Sequence, residues 1–224
     1  MALRLLITEV TDIHRGLYCV AGWDPAGARM VRPLPDGVYW PRFLLETAGV
    51  VPGVTFEVTP NRIHLHDDYP HRSEDLPIDL APIDALPAAP VQWFGTGAPP
   101  TAATLADAFG GNLRHTGLWR GHRRGAHVLV GTRTCSLHGL RIASHHVSFM
   151  EDDERLRVLL QDAETRYNLP VSSRSLREIW HVEGIAAVRR ALPAGTDLHV
   201  RVGLARGFGE QRDRCYVMLN GVLW

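Results

Sequence analysis

Apolar and polar positions alternate along much of the chain, most clearly over residues 17–35, LYCVAGWDPAGARMVRPLP. A period of two is typical of half-buried strands, so this stretch predicts two strands. Residues 24–27 form the turn between them, because proline and glycine suit turn dihedrals. Trp23, Arg29 and Arg32 on such a strand pair would place an aromatic plane beside guanidinium groups.

The same alternation predicts strands at 3–11, 54–59 and about 127–137, and two more at the end of the chain. Residues 155–171 fit either a short helix or a hairpin, and the alternation of Leu156, Val158 and Leu160 favours the hairpin. A period of 3.6 residues over 172–192 predicts a helix with a break at Gly184.

Short strands in two clusters, each with few helices, predict a mainly β fold with minor α content, built as two small barrels rather than a sandwich. The proline-rich connector at 77–100 separates the clusters. The predicted domains are residues 1–100, the first barrel with this connector, and residues 101–224, the second barrel preceded by an Arg-rich loop.

Charge and cysteine content limit the choice of partners. The 24 basic residues, all arginine, balance 24 acidic ones, so any nucleic-acid role would depend on a local patch. Biased genomic composition also explains the absence of lysine. Cys19, Cys135 and Cys215 are far apart and predict buried, reduced thiols. The sequence shows no signal peptide or apolar span, so we expect a cytoplasmic protein with no membrane partner.

Two groups of arginine and tryptophan are candidate contacts for nucleic acid. Aromatic rings stack on bases and guanidinium groups bind phosphate, although the same tryptophans would also suit a core and the same arginines a solvated loop. The first group lies near the strand pair and the second in the basic window at 112–125. The candidate contact residues are Arg29, Arg32, Trp40, Arg114, Trp119, Arg120, Arg123 and Arg124.

A third cluster is HLHDDYPHRSED at 64–75. Its imidazoles and carboxylates are of the types that bind metal ions, and His64, His66, Asp68 and His71 form the alternative metal-dependent site. The spacing matches no tight metal signature, so we favour a structural network that pins a loop between the barrels. No cofactor, metal or catalytic residue is assigned.

The ordered motifs resemble the dual OB-fold domain family of prokaryotes. The likeness rests on CVAGWDPAGARMVRPLP, on PHRSED at 70–75, and on the series LRVLLQ, RYNLPVS, LHVRVGLARGF and CYVMLNGVLW. The resemblance implies two tandem OB-like β-barrels and a nucleic-acid-binding role, in a defence or mobile-element context.

We therefore expect non-catalytic binding of single-stranded nucleic acid or a nucleotide-like ligand. The alternatives are a metal-dependent hydrolase acting on nucleic acid and a protein–protein scaffold that uses exposed β-edges.

Overall fold

The computed structural model describes residues 2–63, 65, 69–79, 84–86, 91–119, 122–163, 165–207, 210 and 212–224. The fold is mainly β, with 46% of residues in strands and 17% in helices, and its sheets curl like half-barrels but stay open. This confirms the predicted fold class at the level of secondary structure. Among the described residues, no helix is both long and apolar enough to cross a membrane.

The first sheet is built from the N-terminal strands. Its order is β6-β3-β2-β1-β5-β7, with β4 paired to β2, where the strands are β1 (Leu3–His14), β2 (Leu17–Asp24), β3 (Arg29–Pro35), β4 (Trp40–Pro41), β5 (Thr55–Val58), β6 (Asp75–Ile78) and β7 (Asp84–Ala85). The predicted turn between β2 and β3 is closed by Asp24, whose carboxylate accepts from the backbone N–H groups of Ala26 and Gly27. Helix α1 (Arg42–Thr47) follows β4.

The remaining strands form two further sheets in the described part of the chain. One has the order β8-β13-β17-β18-β12-β9 and the other β10-β11-β16-β15-β14. The strands are β8 (Thr101–Ala102), β9 (Arg114–His115), β10 (Leu118–Trp119), β11 (His122–Arg124), β12 (Ala126–Leu129), β13 (Leu137–Ala143), β14 (Val147–Asp152), β15 (Arg155–Gln161), β16 (Arg166–Pro170), β17 (Asp197–Leu204) and β18 (Arg214–Leu223).

The hairpin prediction for residues 155–171 is confirmed by β15 and β16. The broken helix is also confirmed, as α3 (Arg174–Glu183) and α4 (Ile185–Arg190) on either side of Gly184, whose φ is +79°. Helix α2 (Leu105–Ala108) begins after Thr104, whose hydroxyl accepts from the Asp107 N–H. The single strand expected at about 127–137 is wrong, because the chain turns after Leu129 and resumes as β13.

Each half of the chain has its own apolar core, and a small third cluster joins them. The third cluster packs Ala21, Trp23 and Met30 of the first sheet against Leu137 of β13. Backbone pairing adds to this contact, because the N–H of Asp12 donates to the Ser172 carbonyl at 3.0 Å. The two halves therefore meet along a packed, hydrogen-bonded junction.

Candidate functional site

Arg32 and Trp40, two candidate contact residues, are buried. Arg32 is 3% exposed and Trp40 is 2% exposed. The Trp40 indole N–H donates to the Pro33 carbonyl at 2.7 Å, and Arg32 donates to the Asp75 carboxylate and, at 2.8 Å, to the Ser136 hydroxyl. The expectation that these two side chains face solvent is wrong, because each finds its polar partner in the interior.

Arg29 stays near the surface, with a side chain that is 51% exposed and lies 3.3 Å from the Asp24 carboxylate. Arg29 and Arg32 are three positions apart on β3, and successive side chains of a strand alternate between its faces. The two arginines therefore lie on opposite faces. Trp23 is 6% exposed, and its indole N–H donates to the Gly97 carbonyl at 3.0 Å.

The basic window at 112–125 is not a single loop, because it contains β9, β10 and β11. β9 pairs with β12 and β11 pairs with β16, so the window joins the edges of two sheets. Arg114 is exposed there. Arg120 lies outside the described residues, as do the side chains of Trp119, Arg123 and Arg124, so their role as contacts stays a prediction.

Of the alternative metal set, His64, His66 and Asp68 lie outside the described residues. His71 is 4% exposed, and its Nε2–H donates to the Leu204 carbonyl at 2.9 Å. Burial, together with the neighbouring charge of Arg32, lowers the pKa of His71 to about 4. Among the described residues, no three His, Cys, Asp or Glu side chains are grouped to hold a metal ion.

The PHRSED motif connects the two halves, as the loop-pinning interpretation expected. The Glu74 carboxylate accepts from the backbone N–H groups of Ser136 and Leu137, ahead of and within β13. Asp75 accepts from Arg32 on β3 and from Arg206, which follows β17. With the His71–Leu204 hydrogen bond, these contacts tie the motif to the second half of the chain.

A pocket of about 630 Å³ opens beside this motif, between the first sheet and the central β17–β18 pair of the second. We call it the junction pocket. Its volume falls in the range of about 300–1,000 Å³ typical of small-molecule sites. Apolar side chains and polar or charged ones both contribute to its wall. The lining residues are Thr11, Asp12, Ile13, His14, Cys19, Arg32, Tyr39, His71, Leu137, Leu204, Ala205, Arg206, Gly207, Met218 and Asn220.

Arg206 is the more accessible of the two arginines in this pocket. Its side chain is 34% exposed, against 4% for Arg32. The Arg206 Nε donates to the Tyr39 hydroxyl at 2.7 Å, and its guanidinium carbon lies 6.0 Å from the centre of the Tyr39 ring. Arg206 and Tyr39 thus present a cation and an aromatic ring together at the pocket wall.

Three side chains of the junction pocket, those of Cys19, Tyr39 and His71, are poorly activated as nucleophile or base. Burial raises the pKa of the Cys19 thiol, although Arg32, whose Nε lies 3.2 Å from the sulfur, opposes this effect. Burial likewise raises the pKa of Tyr39. At neutral pH the thiol and phenol are protonated, and the His71 imidazole is neutral with Nε2 already engaged.

Sequence reasoning missed Arg206 and Tyr39 as site residues. An arginine just after a strand carries no local sign of function, and its partner Asp75 is 131 positions away. The expectation of three buried thiols is also wrong at Cys135, which is exposed.

No protein-family model matches the sequence, and comparison with curated proteins gives no significant match.

Proposed function

We propose that this protein binds a nucleotide-like ligand, a planar ring that carries an anionic group, in the junction pocket without transforming it. The observation that carries the proposal is the Arg206–Tyr39 pair at the wall of a cavity with mixed polar and apolar lining. A guanidinium group binds phosphate or carboxylate oxygens, and an aromatic face stacks on a planar ring.

The charges around the pocket favour an anion near Arg206. Asp75 is shared between two guanidinium groups, those of Arg32 and Arg206. Glu74 also interacts electrostatically with Arg32, but its carboxylate already accepts from the two N–H groups of Ser136 and Leu137. Arg206 therefore shares the Asp75 carboxylate with Arg32, and its half-buried side chain still reaches the pocket, where it can bind a ligand anion as well.

The protonation states support binding rather than catalysis. A reactive cysteine needs a lowered pKa, and the Cys19 pKa is raised. A general base works best with a pKa near the operating pH, and that of His71 is about 4. These groups line the pocket as hydrogen-bonding and packing partners of a ligand.

We further propose that the curled sheets are two OB-like units of the dual OB-fold family, with the ligand held at their junction. OB-folds bind their ligands on one sheet face and its flanking loops, so this architecture suits the role by analogy. The three free thiols fit the proposed cytoplasmic location.

Calorimetric titration with the four ribonucleoside monophosphates tests the proposal. We expect at least one of them to bind with a Kd in the micromolar range. Arg206→Gln should weaken that binding by about tenfold or more, because the variant loses a charge-assisted hydrogen bond. Arg155→Gln is the matched control, because Arg155 is exposed and does not line the pocket.

Titrations with inorganic phosphate and with the free nucleosides separate the anion from the ring. We expect both fragments to bind more weakly than the intact nucleotide. Absence of binding by all four nucleotides, or equal affinity in wild type and Arg206→Gln, would contradict the proposal.

Single-stranded nucleic acid remains a second candidate ligand, because the window at 112–125 lies at the edges of two sheets and Arg114 is exposed. Binding of an oligodeoxythymidine over a salt series tests it. We expect the triple change of Arg120, Arg123 and Arg124 to Ala to lower the affinity and to make it depend less on salt. Binding with fewer phosphate contacts releases fewer counterions from the nucleic acid. Unchanged binding would remove the window from the interface.

A further inference from the structure

A second cavity, of about 540 Å³, shares Tyr39 and Arg206 with the junction pocket. We call it the apolar cleft. Its other lining residues are Leu17, Leu34, Gly37, Val38, Pro41 and Leu65. Among the described residues that line the cleft, Arg206 is the one that carries a charge. The Tyr39–Arg206 pair is therefore a common wall, with mixed polar and apolar lining on one side and almost wholly apolar lining on the other.

The apolar cleft leaves apolar side chains in contact with water. Val38 is 60% exposed, and Ile63, which packs beside the cleft, is 44% exposed. Gly37 shapes this rim, because a Cβ built there would lie 3.2 Å from Leu65 Cδ2 and 3.3 Å from Ile63 Cγ2. With its φ of +79°, Gly37 lets the turn after β3 pack directly against these two side chains.

We propose that the ligand of the junction pocket is amphipathic, with an apolar substituent that lies in the apolar cleft. This inference rests on the proposed function, since it assigns a second part to the same ligand. The anionic group binds beside Arg206, and the substituent crosses the Tyr39–Arg206 wall into the cleft. The ligand class is a nucleotide esterified or otherwise joined to an aromatic or acyl group.

Continuity with the junction pocket favours this occupant over a separate partner. Both cavities are lined by the same hydrogen-bonded pair, so a ligand that contacts Arg206 and Tyr39 from the junction pocket lies next to the cleft. Burying the exposed apolar side chains of the cleft removes apolar surface from water, which favours binding in proportion to the area covered.

The test compares each ribonucleoside monophosphate with its N-methylanthraniloyl ester, whose fluorescent aromatic group is the apolar substituent. We expect the ester to bind about tenfold tighter than the parent nucleotide, the gain from burying roughly 50–60 Å² of apolar surface. Val38→Asp, which places a charge in the cleft, should abolish this gain, so that the ester and its parent nucleotide bind this variant with equal affinity.

Val51→Asp is the matched control, because Val51 is 51% exposed and does not line the cleft. We expect it to keep the full gain. Equal affinity of ester and parent, or a gain that survives Val38→Asp, would overturn the amphipathic ligand while leaving the proposed function intact. Failure of the parent nucleotides to bind would instead overturn the proposed function, and with it this inference.

Discussion

His71 shows how a single buried side chain links stability to pH. The unfolded chain protonates this imidazole below about pH 6.5, whereas the folded protein does so only near its pKa of about 4. Its contribution to stability is therefore complete above pH 6.5 and is lost as the pH falls from there toward 4.

We predict that His71→Gln reduces this pH dependence. The Gln amide can still donate to the Leu204 carbonyl, but it does not titrate. Between pH 7.5 and pH 5, the free energy of unfolding should fall by about 2 kcal/mol less in the variant than in the wild type. Urea denaturation at both pH values measures it. An equal fall in both proteins would show that His71 titrates alike in the folded and unfolded states.

The rate at which the Cys19 thiol is modified measures how accessible the junction pocket is. Cys135 is exposed, Cys19 is half-buried in the pocket wall, and Cys215 is 1% exposed. We predict that iodoacetamide modifies Cys135 first, then Cys19, and Cys215 last. A nucleotide at about ten times its Kd should slow the reaction of Cys19 about tenfold, since about nine-tenths of the sites are then occupied.

Cys135 is the internal control for that experiment, because it does not line the pocket. Peptide mass spectrometry follows both sites in one sample. Protection of both thiols, or of neither, would place the bound nucleotide elsewhere.

At the scale of elements, the paired strands β13 and β17 meet at two buried polar side chains of β17, which lie close to Gly139 of β13. His199 and Arg201 are fully buried, and a Cβ added to Gly139 would lie 2.6 Å from His199 Nε2 and 2.8 Å from Arg201 Nη1. The same atom would lie 2.8 Å from the Pro100 carbonyl oxygen, so both side chains and the connector backbone would have to move.

We predict that Gly139→Ala lowers the free energy of unfolding by about 1–3 kcal/mol, the usual cost of overpacking a core. Gly221→Ala is the control. Gly221 also pairs with Arg201, but its added Cβ would have its nearest contacts at 3.8 Å. That variant should stay within about 1 kcal/mol of the wild type. Chemical denaturation decides, and equal losses in the two variants would contradict the argument.

Local pattern was enough to predict several elements. The alternation of apolar and polar residues predicted β1, the β2–β3 pair and the β15–β16 hairpin, because the alternating burial of a strand depends on residues that are neighbours in sequence. The three-residue spacing of Arg29 and Arg32 also indicates that their side chains lie on opposite faces of β3. The turn after Leu129 was missed because β-forming residues continue on both sides of Gly131.

The candidate site was mostly beyond local pattern, because its contacts are long-range. Arg32 meets Asp75 across 43 positions and Ser136 across 104. No short stretch of the sequence shows that Arg32 has a buried carboxylate as its partner. The placement of PHRSED as a tie between the halves was predictable, whereas the pocket that this tie creates was not.

At the scale of the whole molecule, a buried ion pair joins the first sheet to the β17–β18 sheet. Arg201 Nε on β17 donates to the Glu9 carboxylate on β1 at 2.6 Å, and both side chains are at most 1% exposed. Breaking a buried pair by removing one charge leaves the other uncompensated, which costs about 3–5 kcal/mol. An exposed pair costs about 1 kcal/mol or less.

We predict that Glu9→Gln destabilises the protein by about 3–5 kcal/mol. Glu57→Gln, which breaks the exposed Arg4–Glu57 pair at 3.7 Å, should cost about 1 kcal/mol or less. Because Glu9 and Arg201 belong to different sheets, Glu9→Gln should speed native-state hydrogen exchange in β1–β5 and in β13–β18 together. Loss of protection confined to one of these regions would mean that the halves unfold separately and that the junction pocket lies between independent units.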